Sequence, residues 1–480
     1  MAVRFSDDQV TAATGGKRVR SGARVAYAAV STDSRHVPTD ALFVALKGER
    51  FDGHAFLVDA ARAGAAGVVV AKGTALQSLP EELAVFEVDD TLVALGRLAR
   101  FHRSRFKGKV AAIGGSNGKT TTKEMVGAIF AAHGPSLKTE GNLNNEIGVP
   151  LTLFRLEPAH QLAAIELGMN HPGEMARLTE IAQPDAALLT VIQPEHLEGL
   201  GSLRGVAEAE GELFRGLRKE AIAIVNLDDE HIVSQASASV ASKITFGKHP
   251  RADVRLLSVT PQNAGPQNTG QQNTGQQNTW MSARISAFGK THNVTLGFLG
   301  EHNAQNATGA FAVGLALGVS PDTCVKGLAA AQPHARRLRM LAGEAGVRIL
   351  DDCYNANPGS MTAALETLQR AASPGRALAV LGDMLELGEA ETSAHETLGQ
   401  QAARVLHRVA FFGPRSKTAH AAASGMQERA AHFLEVPPLL GWLRADLQAG
   451  DVVLVKGSRG MQLERVVDAL TGVSAGSGGH

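Results

Sequence analysis

One stretch of the chain dictates the structure around it: Ala111-Ala112-Ile113-Gly114-Gly115-Ser116-Asn117-Gly118-Lys119-Thr120-Thr121-Thr122. The apolar residues 110–113 predict a buried strand, and after the polar residues an amphipathic pattern predicts a helix with Met125, Val126, Ile129 and Phe130 on one face. Glycines between a strand and a helix let backbone N–H groups surround phosphate oxygens, and the helix N-terminus adds partial positive charge. The stretch therefore predicts a strand, a phosphate loop and a helix, in that order.

The polar residues of this loop have predictable roles. Lys119 can reach the outer phosphates of a nucleotide, and the Thr120 hydroxyl can ligate Mg²⁺. The strict phosphate-loop pattern has glycine five positions before Gly118, but Ile113 stands there, so the match is to a shortened form. The alternative is a glycine-rich turn with a surface lysine. We interpret the loop as an ATP site, formed by Gly115, Ser116, Asn117, Gly118, Lys119, Thr120 and Thr121.

Composition narrows the class of protein. The 480 residues include 47 Lys and Arg against 47 Asp and Glu, and no basic run is present, which argues against a nucleic-acid-binding protein. Two cysteines are too few for a disulfide framework and fit a reducing compartment. No stretch approaches the ~20 apolar residues of a membrane span, and the N-terminal residues lack a signal-peptide core. A cytoplasmic protein without a membrane span is expected.

Three α/β units are predicted along the chain. Residues 1–107 form a small α/β unit, and residues 108–332 alternate strands and helices in the way typical of a parallel sheet covered on both faces. After a break near Pro333, residues 333–480 form a third α/β unit. Inside the central unit, residues 261–279 repeat Gln, Asn, Thr and Gly and predict a disordered insert between edge strands, because such a composition cannot build a core.

Three side chains of the central unit are candidate site residues. Glu166 ends an apolar strand, where open α/β sheets bind ligands, so it is placed to hold a metal, although a surface acid is the alternative. His196 follows the next strand; a lone histidine is usually structural, but this position favours a site. Glu210 falls within the apolar stripe of a predicted helix, where a carboxylate is costly unless it is paired or bound to a cation.

Polar clusters occur in all three units. Residues 31–35, Ser-Thr-Asp-Ser-Arg, are either a turn with an ion pair or a group suited to a diphosphate or sugar. Residues 141–150 and 300–307 are rich in amide side chains. Residues 382–388 and 456–461 directly follow predicted strands, so they imply a second ligand-facing rim in the last unit.

Together these motifs resemble the Mur ligase family. The ordered set comprises GSNGKTTTKEM, GNLNNEIGVPLTL, ELGMNHPGEM, PEHLEGLGSL, EHNAQNA, DDCYNANPGSM, LGDMLELG and VKGSRGM, and the resemblance extends from the STDSR patch to Met461. It implies an α/β protein of three domains: a UDP-binding N-terminal domain, a central parallel-sheet ATPase domain and a Rossmann-like C-terminal domain.

The resemblance also implies a reaction. ATP would phosphorylate the terminal carboxylate of UDP-N-acetylmuramoyl-tripeptide, and the amine of D-alanyl-D-alanine would attack the acyl phosphate in the cytoplasmic stage of peptidoglycan synthesis. The cofactors would be ATP and Mg²⁺, and a monomer is expected. The alternatives are a ligase like folylpolyglutamate synthase, against which the STDSR patch and DDCYNANP argue, and a non-catalytic ATP-binding relative.

Roles for individual residues follow from the resemblance. Lys119 would bind the β- and γ-phosphates, Thr120 and Glu166 would hold Mg²⁺, and His196 would serve a second Mg²⁺. Asn303 and Asn306 would lie along the adenine, and Arg337 and Asp352 would contact the nucleotide from the C-terminal domain. Ser34 and Arg35 would touch the uridine nucleotide, and the junction between the two substrates would be lined by Asn142, Asn145, Tyr354, Asn355 and Asn357.

Two positions depart from the family pattern. Mur ligases carry a carbamylated lysine where Glu210 stands, and Glu210 reaches about 4 Å less far from the backbone. We hypothesise that Glu210, as a catalytic residue, positions Mg²⁺ directly or through water. The second departure is Arg336, which stands where the family has glycine and precedes Arg337.

Overall fold

The computed structural model describes residues 4–48, 51–262 and 280–472. The described strands form three large sheets and one two-stranded ribbon. Residues 261 and 262 are strand, which corrects the first two residues of the predicted insert; the rest of the insert lies outside the described residues. In the described part of the chain, no helix combines the length and the apolarity needed to cross a membrane.

The N-terminal part contains a five-stranded sheet. Its elements are β1 (Phe5–Ser6), α1 (Asp7–Thr14), β2 (Lys17–Arg20), β3 (Ala26–Tyr27), β4 (Ala29–Ser31), β5 (Ala41–Val44), α2 (Leu57–Ala63), β6 (Ala65–Ala71), β7 (Ala84–Val88) and α3 (Thr91–Ser104). The sheet order is β2-β7-β6-β5-β4, parallel except for β2, and β1 pairs with β3.

Helix α3 attaches this part to the central sheet. The Asp90 side chain caps its N-terminus, and its apolar face joins the core of the central part through Leu95 and Leu98. Near its C-terminus the buried Arg103 donates to the Ala182 carbonyl at 3.1 Å and to Asp185 Oδ2 at 2.7 Å. Because apolar packing and a partly buried ion pair both bridge the junction, α3 holds the N-terminal sheet against the central part.

The central part is built on a nine-stranded sheet. Its elements are β8 (Lys109–Gly114), α4 (Lys119–His133), β9 (Ser136–Lys138), α5 (Gly148–Leu153), β10 (Leu162–Glu166), α6 (Glu174–Ala182), β11 (Ala186–Leu189), α7 (Leu197–Leu200), α8 (Leu203–Arg215), β12 (Ile222–Asn226), α9 (Glu230–Ser237), β13 (Ser242–Gly247), β14 (Val254–Gln262), β15 (Trp280–Ala287), β16 (Lys290–Leu296), α10 (Glu301–Ala316) and α11 (Pro321–Ala330).

The order of this sheet is β16-β15-β14-β13-β12-β11-β8-β10-β9, parallel from β14 to β9 and antiparallel from β14 to β16. Along β8, Val110 and Ala112 belong to one apolar cluster and Ala111 and Ile113 to another. Successive side chains of a strand point to opposite faces, so both faces of the sheet are covered. The predicted parallel sheet is confirmed, with an antiparallel extension at one edge.

The C-terminal part is a six-stranded sheet. Its elements are β17 (Arg339–Ala342), β18 (Arg348–Asp352), α12 (Pro358–Ala372), β19 (Ala377–Gly382), α13 (Glu391–Val405), β20 (Arg408–Phe412), α14 (Lys417–Ala422), β21 (Ala430–Phe433), α15 (Val436–Arg444), β22 (Val452–Lys456) and α16 (Glu464–Thr471). The order is β17-β18-β22-β19-β20-β21, parallel except for β17, with an apolar cluster on each face. The domain boundaries after residues 107 and 332 stay predictions; both fall between elements.

Candidate active site

The phosphate loop connects β8 to α4 through two glycines in the left-handed region. Gly115 has φ 111° and Gly118 has φ 84°, conformations that side chains rarely adopt. A Cβ on Gly115 would lie 2.3 Å from Thr190 Oγ1, and one on Gly118 would lie 2.8 Å from the Asn306 side-chain amide. Only glycine fits at either position, so the backbone stays close to neighbouring elements and open towards a ligand.

The Lys119 side chain folds over its own loop. Its Nζ donates to the Gly115 carbonyl at 2.6 Å and lies 3.4 Å from Glu195 Oε1. Burial alone would lower the pKa of this ammonium, but the carboxylates of Glu195, Glu210 and Glu166 outweigh that effect and raise it. Lys119 is therefore a cation surrounded by carboxylates, at the position predicted to meet phosphates.

Glu166 and Thr120 form the predicted pair on the other side of the loop. Glu166 Oε1 accepts hydrogen bonds from Thr120 Oγ1 at 3.2 Å and from Asn144 Nδ2 at 2.9 Å. Glu166 is only 2% exposed, and its Oε2 has no hydrogen-bond partner. The alternative of a surface acid is thus wrong. A hydroxyl beside a buried carboxylate with an unused oxygen is a donor set that fits Mg²⁺.

Glu195 and His196 follow β11, the neighbour of β8 in the sheet. Glu195 is 7% exposed, and burial raises its pKa to about 8. Its Oε2 lies 4.0 Å from His196 Nε2, while His196 Nδ1 lies 2.7 Å from Glu386 Oε2 in the C-terminal part. Burial lowers the pKa of His196. Since β11, β8 and β10 are neighbours, Glu195, Lys119 and Glu166 meet at one edge of the sheet.

The C-terminal part contributes an ion pair and a stacked arginine. Lys456 Nζ donates to Asp352 Oδ2 at 2.6 Å and to the Asn355 carbonyl at 2.9 Å. Burial raises the pKa of Asp352, and the Lys456 charge opposes that effect. The Arg337 guanidinium lies 4.2 Å from the centre of the Tyr354 ring, a cation–π contact. These residues form a polar rim of the C-terminal part. Of the two motifs predicted to form such a rim, residues 456–461 contribute Lys456 to it, whereas residues 382–388 do not line the cleft.

These groups surround a cleft of about 730 Å³. Most of the predicted site residues line it, namely Ser116, Asn117, Gly118, Lys119, Thr120, Thr121, Asn142, Asn145, Glu166, His196, Asn303, Asn306, Arg337, Asp352, Tyr354, Asn355 and Asn357. Residues in the lining that sequence reasoning missed include Asn144, Gln193, Glu195, His302 and Lys456. All five lie within the polar motifs quoted above or directly beside one, and that proximity is the signal by which they could have been predicted.

Three sequence models of Mur ligase domains match the chain. The Mur ligase family catalytic domain matches residues 26–103, the Mur ligase middle domain residues 113–314, and the Mur ligase glutamate ligase domain residues 336–459. The chain belongs to the Mur ligase family.

Similar Mur ligases have names that agree on one reaction. The UDP-N-acetylmuramoyl-tripeptide–D-alanyl-D-alanine ligase of Escherichia coli is 39% identical over 455 residues, covering 94% of this chain and 95% of that protein. A crystal structure of MurF from Acinetobacter baumannii has TM-score 0.85 and 33% identity, covering 97% of this chain and 99% of the other. MurF ligase from Thermotoga maritima in complex with ADP has TM-score 0.80 and 29% identity, covering 92% and 97%.

In this Mur ligase, Glu210 lies beneath the phosphate loop and does not line the cleft. It is fully buried on α8, which confirms the predicted inward direction. Its Oε2 accepts a hydrogen bond from Gly115 N at 2.8 Å, and its Oε1 has no hydrogen-bond partner. Burial raises its pKa. A role for Glu210 towards Mg²⁺ stays a prediction.

The second departure from the family pattern, Arg336, lies at a backbone position with a positive φ. Arg336 has φ 64°, in the left-handed region where glycine is favoured. Its Nη1 lies 3.3 Å from Glu464 Oε1, while the next residue, Arg337, lines the cleft. Arg336 therefore adopts a backbone conformation in which glycine is favoured.

Ser34 and Arg35 do not line the cleft of this Mur ligase. Arg35 is exposed and donates to Asp33 through Nε at 2.9 Å and Nη2 at 2.8 Å, which lowers the pKa of Asp33. The alternative of a turn with an ion pair is thus confirmed. A role for Ser34 and Arg35 towards the uridine nucleotide stays a prediction.

Among the described residues, no group of three or more His, Cys, Asp or Glu side chains is arranged to hold a metal ion. Mg²⁺ is usually held by one or two carboxylates, with waters and substrate phosphates completing the shell. The Thr120–Glu166 pair is such a partial site, and the buried unpartnered oxygen of Glu166 is free to serve it.

Proposed function

We propose that this Mur ligase joins D-alanyl-D-alanine to UDP-N-acetylmuramoyl-tripeptide, using ATP and Mg²⁺. One observation carries the proposal: the phosphate loop, the end of β10 and the polar rim of the C-terminal sheet all line the same cleft. A nucleotide and two further substrates need surfaces from different parts of the chain, and the names of the similar proteins specify those substrates.

The reaction has two bond-forming steps. In the first, an oxygen of the tripeptide's terminal carboxylate attacks the γ-phosphorus of ATP, and ADP leaves. In the second, the amine of D-alanyl-D-alanine attacks the carbonyl carbon of the acyl phosphate, phosphate leaves from a tetrahedral intermediate, and the nitrogen gives up one proton to the departing phosphate. The first step brings two anions together, and the second places negative charge on the carbonyl oxygen of the tetrahedral intermediate. Catalysis therefore depends mostly on positioning and charge neutralisation.

Residues of the phosphate loop neutralise that charge. Lys119 Nζ, which donates to the Gly115 carbonyl, would donate instead to the β- and γ-phosphates. Thr120 and Glu166 would hold one Mg²⁺ and His196 would serve a second, with Gly115, Ser116, Asn117, Gly118 and Thr121 cradling the phosphates. Bound Mg²⁺ would screen the phosphate oxygens and so stabilise the transferring group.

The remaining cleft residues orient the substrates. Asn303 and Asn306 on α10 would lie along the adenine, while Asp352 and Arg337 would contact the nucleotide from the C-terminal side. Asn142, Asn145, Tyr354, Asn355 and Asn357 would line the junction of the two other substrates, with Ser34 and Arg35 near the uridine nucleotide. Because the site is divided among several parts of the chain, we propose that they close around the substrates and exclude water, which would otherwise hydrolyse an acyl phosphate.

Phosphate release in the presence of different acceptors tests the proposed function. The full chain with ATP and Mg²⁺ should release phosphate only when UDP-N-acetylmuramoyl-tripeptide and D-alanyl-D-alanine are both present. Tripeptides ending in lysine and in diaminopimelate should both be supplied. Release with a folate and glutamate would instead identify a folylpolyglutamate synthase activity, and nucleotide binding without turnover would identify a non-catalytic relative.

The setting of the reaction is part of the same proposal. The substrates are cytoplasmic precursors of peptidoglycan, so the protein is proposed to act in the cytoplasm. One chain supplies every residue named above, and we propose a monomer. A light-scattering mass near 50.2 kDa would agree with that, and a mass of twice that value would contradict it.

A further inference from the structure

Three carboxylates converge on the one ammonium of the phosphate loop. Glu195, Glu210 and Glu166 all act on Lys119, and all three are buried. A cation bound among these acidic groups would hold them as carboxylates and would separate them from a polyphosphate, because opposite charges attract strongly where water is excluded.

Only two of the three carboxylates face the cleft. Glu166 and Glu195 are part of its lining, whereas Glu210 lies behind the loop with one oxygen held by Gly115 N. Glu195 is also the carboxylate beside His196, with 4.0 Å between Oε2 and Nε2. On the cleft side, Glu195 is therefore the acid next to His196 within the central part, and Glu174, which also lines the cleft, acts on His196 as well.

An unused buried oxygen in the cleft wall is available to a ligand at this edge. Glu166 Oε2 is buried in the cleft wall without a hydrogen-bond partner. Buried carboxylate oxygens normally have partners, and an unpaired one is explained by a ligand that completes it. Carboxylate oxygens are the ligands that Mg²⁺ prefers, which makes a divalent cation the fitting occupant.

We infer that Glu195 is a ligand of the second divalent cation bound with the nucleotide, shared with His196, and that Glu210 instead supports the phosphate loop. The inference rests on the proposed function only in assuming that a metal–nucleotide complex occupies the cleft. Glu195, which faces the cleft, then supplies the metal-binding carboxylate. Glu210 does not, because it lies behind the loop and reaches about 4 Å less far from the backbone than a carbamylated lysine.

Manganese binding to the full chain tests this inference. Mn²⁺ would be titrated in the presence of ADP, with electron paramagnetic resonance to count free and bound ions. The wild-type chain should bind two Mn²⁺ with ADP, and Glu195→Gln should weaken the second by at least about 10- to 100-fold, because removing a group that only orients a metal ligand already costs that much. Glu195→Asp, which keeps the charge, should recover part of that loss.

Two control variants make the result decisive. Glu198→Gln removes an exposed acid three residues further on and should bind Mn²⁺ as the wild type does. Glu210→Gln should keep the second Mn²⁺. Unchanged Mn²⁺ binding by Glu195→Gln, or loss of the second ion in Glu210→Gln alone, would overturn the inference. Retained ADP binding shows that each variant is folded, and acceptor-dependent phosphate release by the wild type tests the proposed function separately.

Discussion

Asn117 in the phosphate loop and Asn357 at the N-terminus of α12 exchange two side-chain hydrogen bonds. Asn117 Nδ2 donates to Asn357 Oδ1 at 3.1 Å, and Asn357 Nδ2 donates to Asn117 Oδ1 at 2.9 Å. Gln193 accepts from the same Asn117 amide at 2.6 Å. The pair joins the phosphate loop of the central part directly to the C-terminal part. A movement of the C-terminal part would therefore also move the phosphate loop.

Replacing Asn357 with serine should separate this coupling from helix capping. Asn357 Oδ1 also accepts from Ser360 N at 2.8 Å as the helix cap, a function that serine can take over. Asn357→Ser should therefore unfold near the wild-type temperature but turn over about 10- to 100-fold more slowly, because misplacement of reacting groups is costly. Asn357→Ala should lose both the helix cap and the hydrogen bonds to Asn117, so it should unfold at a lower temperature and also turn over more slowly. Wild-type turnover by Asn357→Ser would exclude a role for the pair.

Removal of the loop cation should have a large effect on catalysis. Lys119→Ala loses the ammonium that would meet the β- and γ-phosphates. We expect a loss of about 3–4 kcal/mol of transition-state stabilisation, or a few hundred-fold in kcat/KM. Steady-state phosphate release measures it. A rate within tenfold of the wild type would contradict the proposed role of Lys119.

Glu210 should stabilise the phosphate loop through the hydrogen bond that it accepts from Gly115 N. Glu210→Ala leaves the buried Gly115 N–H without its acceptor, which costs about 1–3 kcal/mol. The loop should then relax, raising the KM for ATP and lowering the thermal unfolding temperature. Glu210→Gln keeps an acceptor oxygen and is the matched control. If Glu210→Ala left stability, activity and Mg²⁺ dependence all unchanged, both the support role and a role towards Mg²⁺ would fail.

Asp351 on β18 predicts a pH dependence of stability. Burial raises its pKa from 3.8 to about 6, and Cys353 Sγ donates to its Oδ1 at 3.0 Å. The folded state therefore holds the proton more tightly than the unfolded state, so stability falls as pH rises through this interval and stays lower above it. The shift corresponds to about 3 kcal/mol.

Asp351→Asn checks that sign. The amide keeps an acceptor for Cys353 but never ionises, so the variant should be more stable than the wild type at pH 8 and similar to it near pH 4. Denaturant unfolding at several pH values measures the difference. If the variant were destabilised equally at every pH, ionisation of Asp351 would not lower the stability of the folded protein, and the prediction would be wrong.

Local patterns were sufficient for much of the site. Residues 110–122 predict a strand, a glycine turn and a helix because each depends on neighbours a few positions apart. The inward direction of Glu210 followed from helical periodicity in the same way, and the structure confirms it. Glu166 was placed correctly because carboxyl ends of parallel strands form the ligand-facing edge of such sheets.

Contacts between distant segments were not available to this reasoning. Lys119 and Glu195 are 76 positions apart, Lys456 and Asp352 are 104 apart, and Asn117 and Asn357 are 240 apart. The spacing of these residues in the sequence does not predict their contacts, because the contacts depend on strand order and on how the three sheets pack. For the same reason the sequence did not show that Ser34 and Arg35 lie outside the cleft while Lys456 lies inside it.

The amino-acid order alone was enough to identify a phosphate loop, three α/β units and membership of the Mur ligase family, because these rest on short-range patterns and on motifs in series. The three-dimensional packing determined that Glu166 and Glu195 face the cleft, whereas Glu210 lies behind the loop and accepts a hydrogen bond from Gly115 N. The physical reason is that a side chain's charge and chemistry are local properties, whereas its burial and its partners depend on every element packed around it.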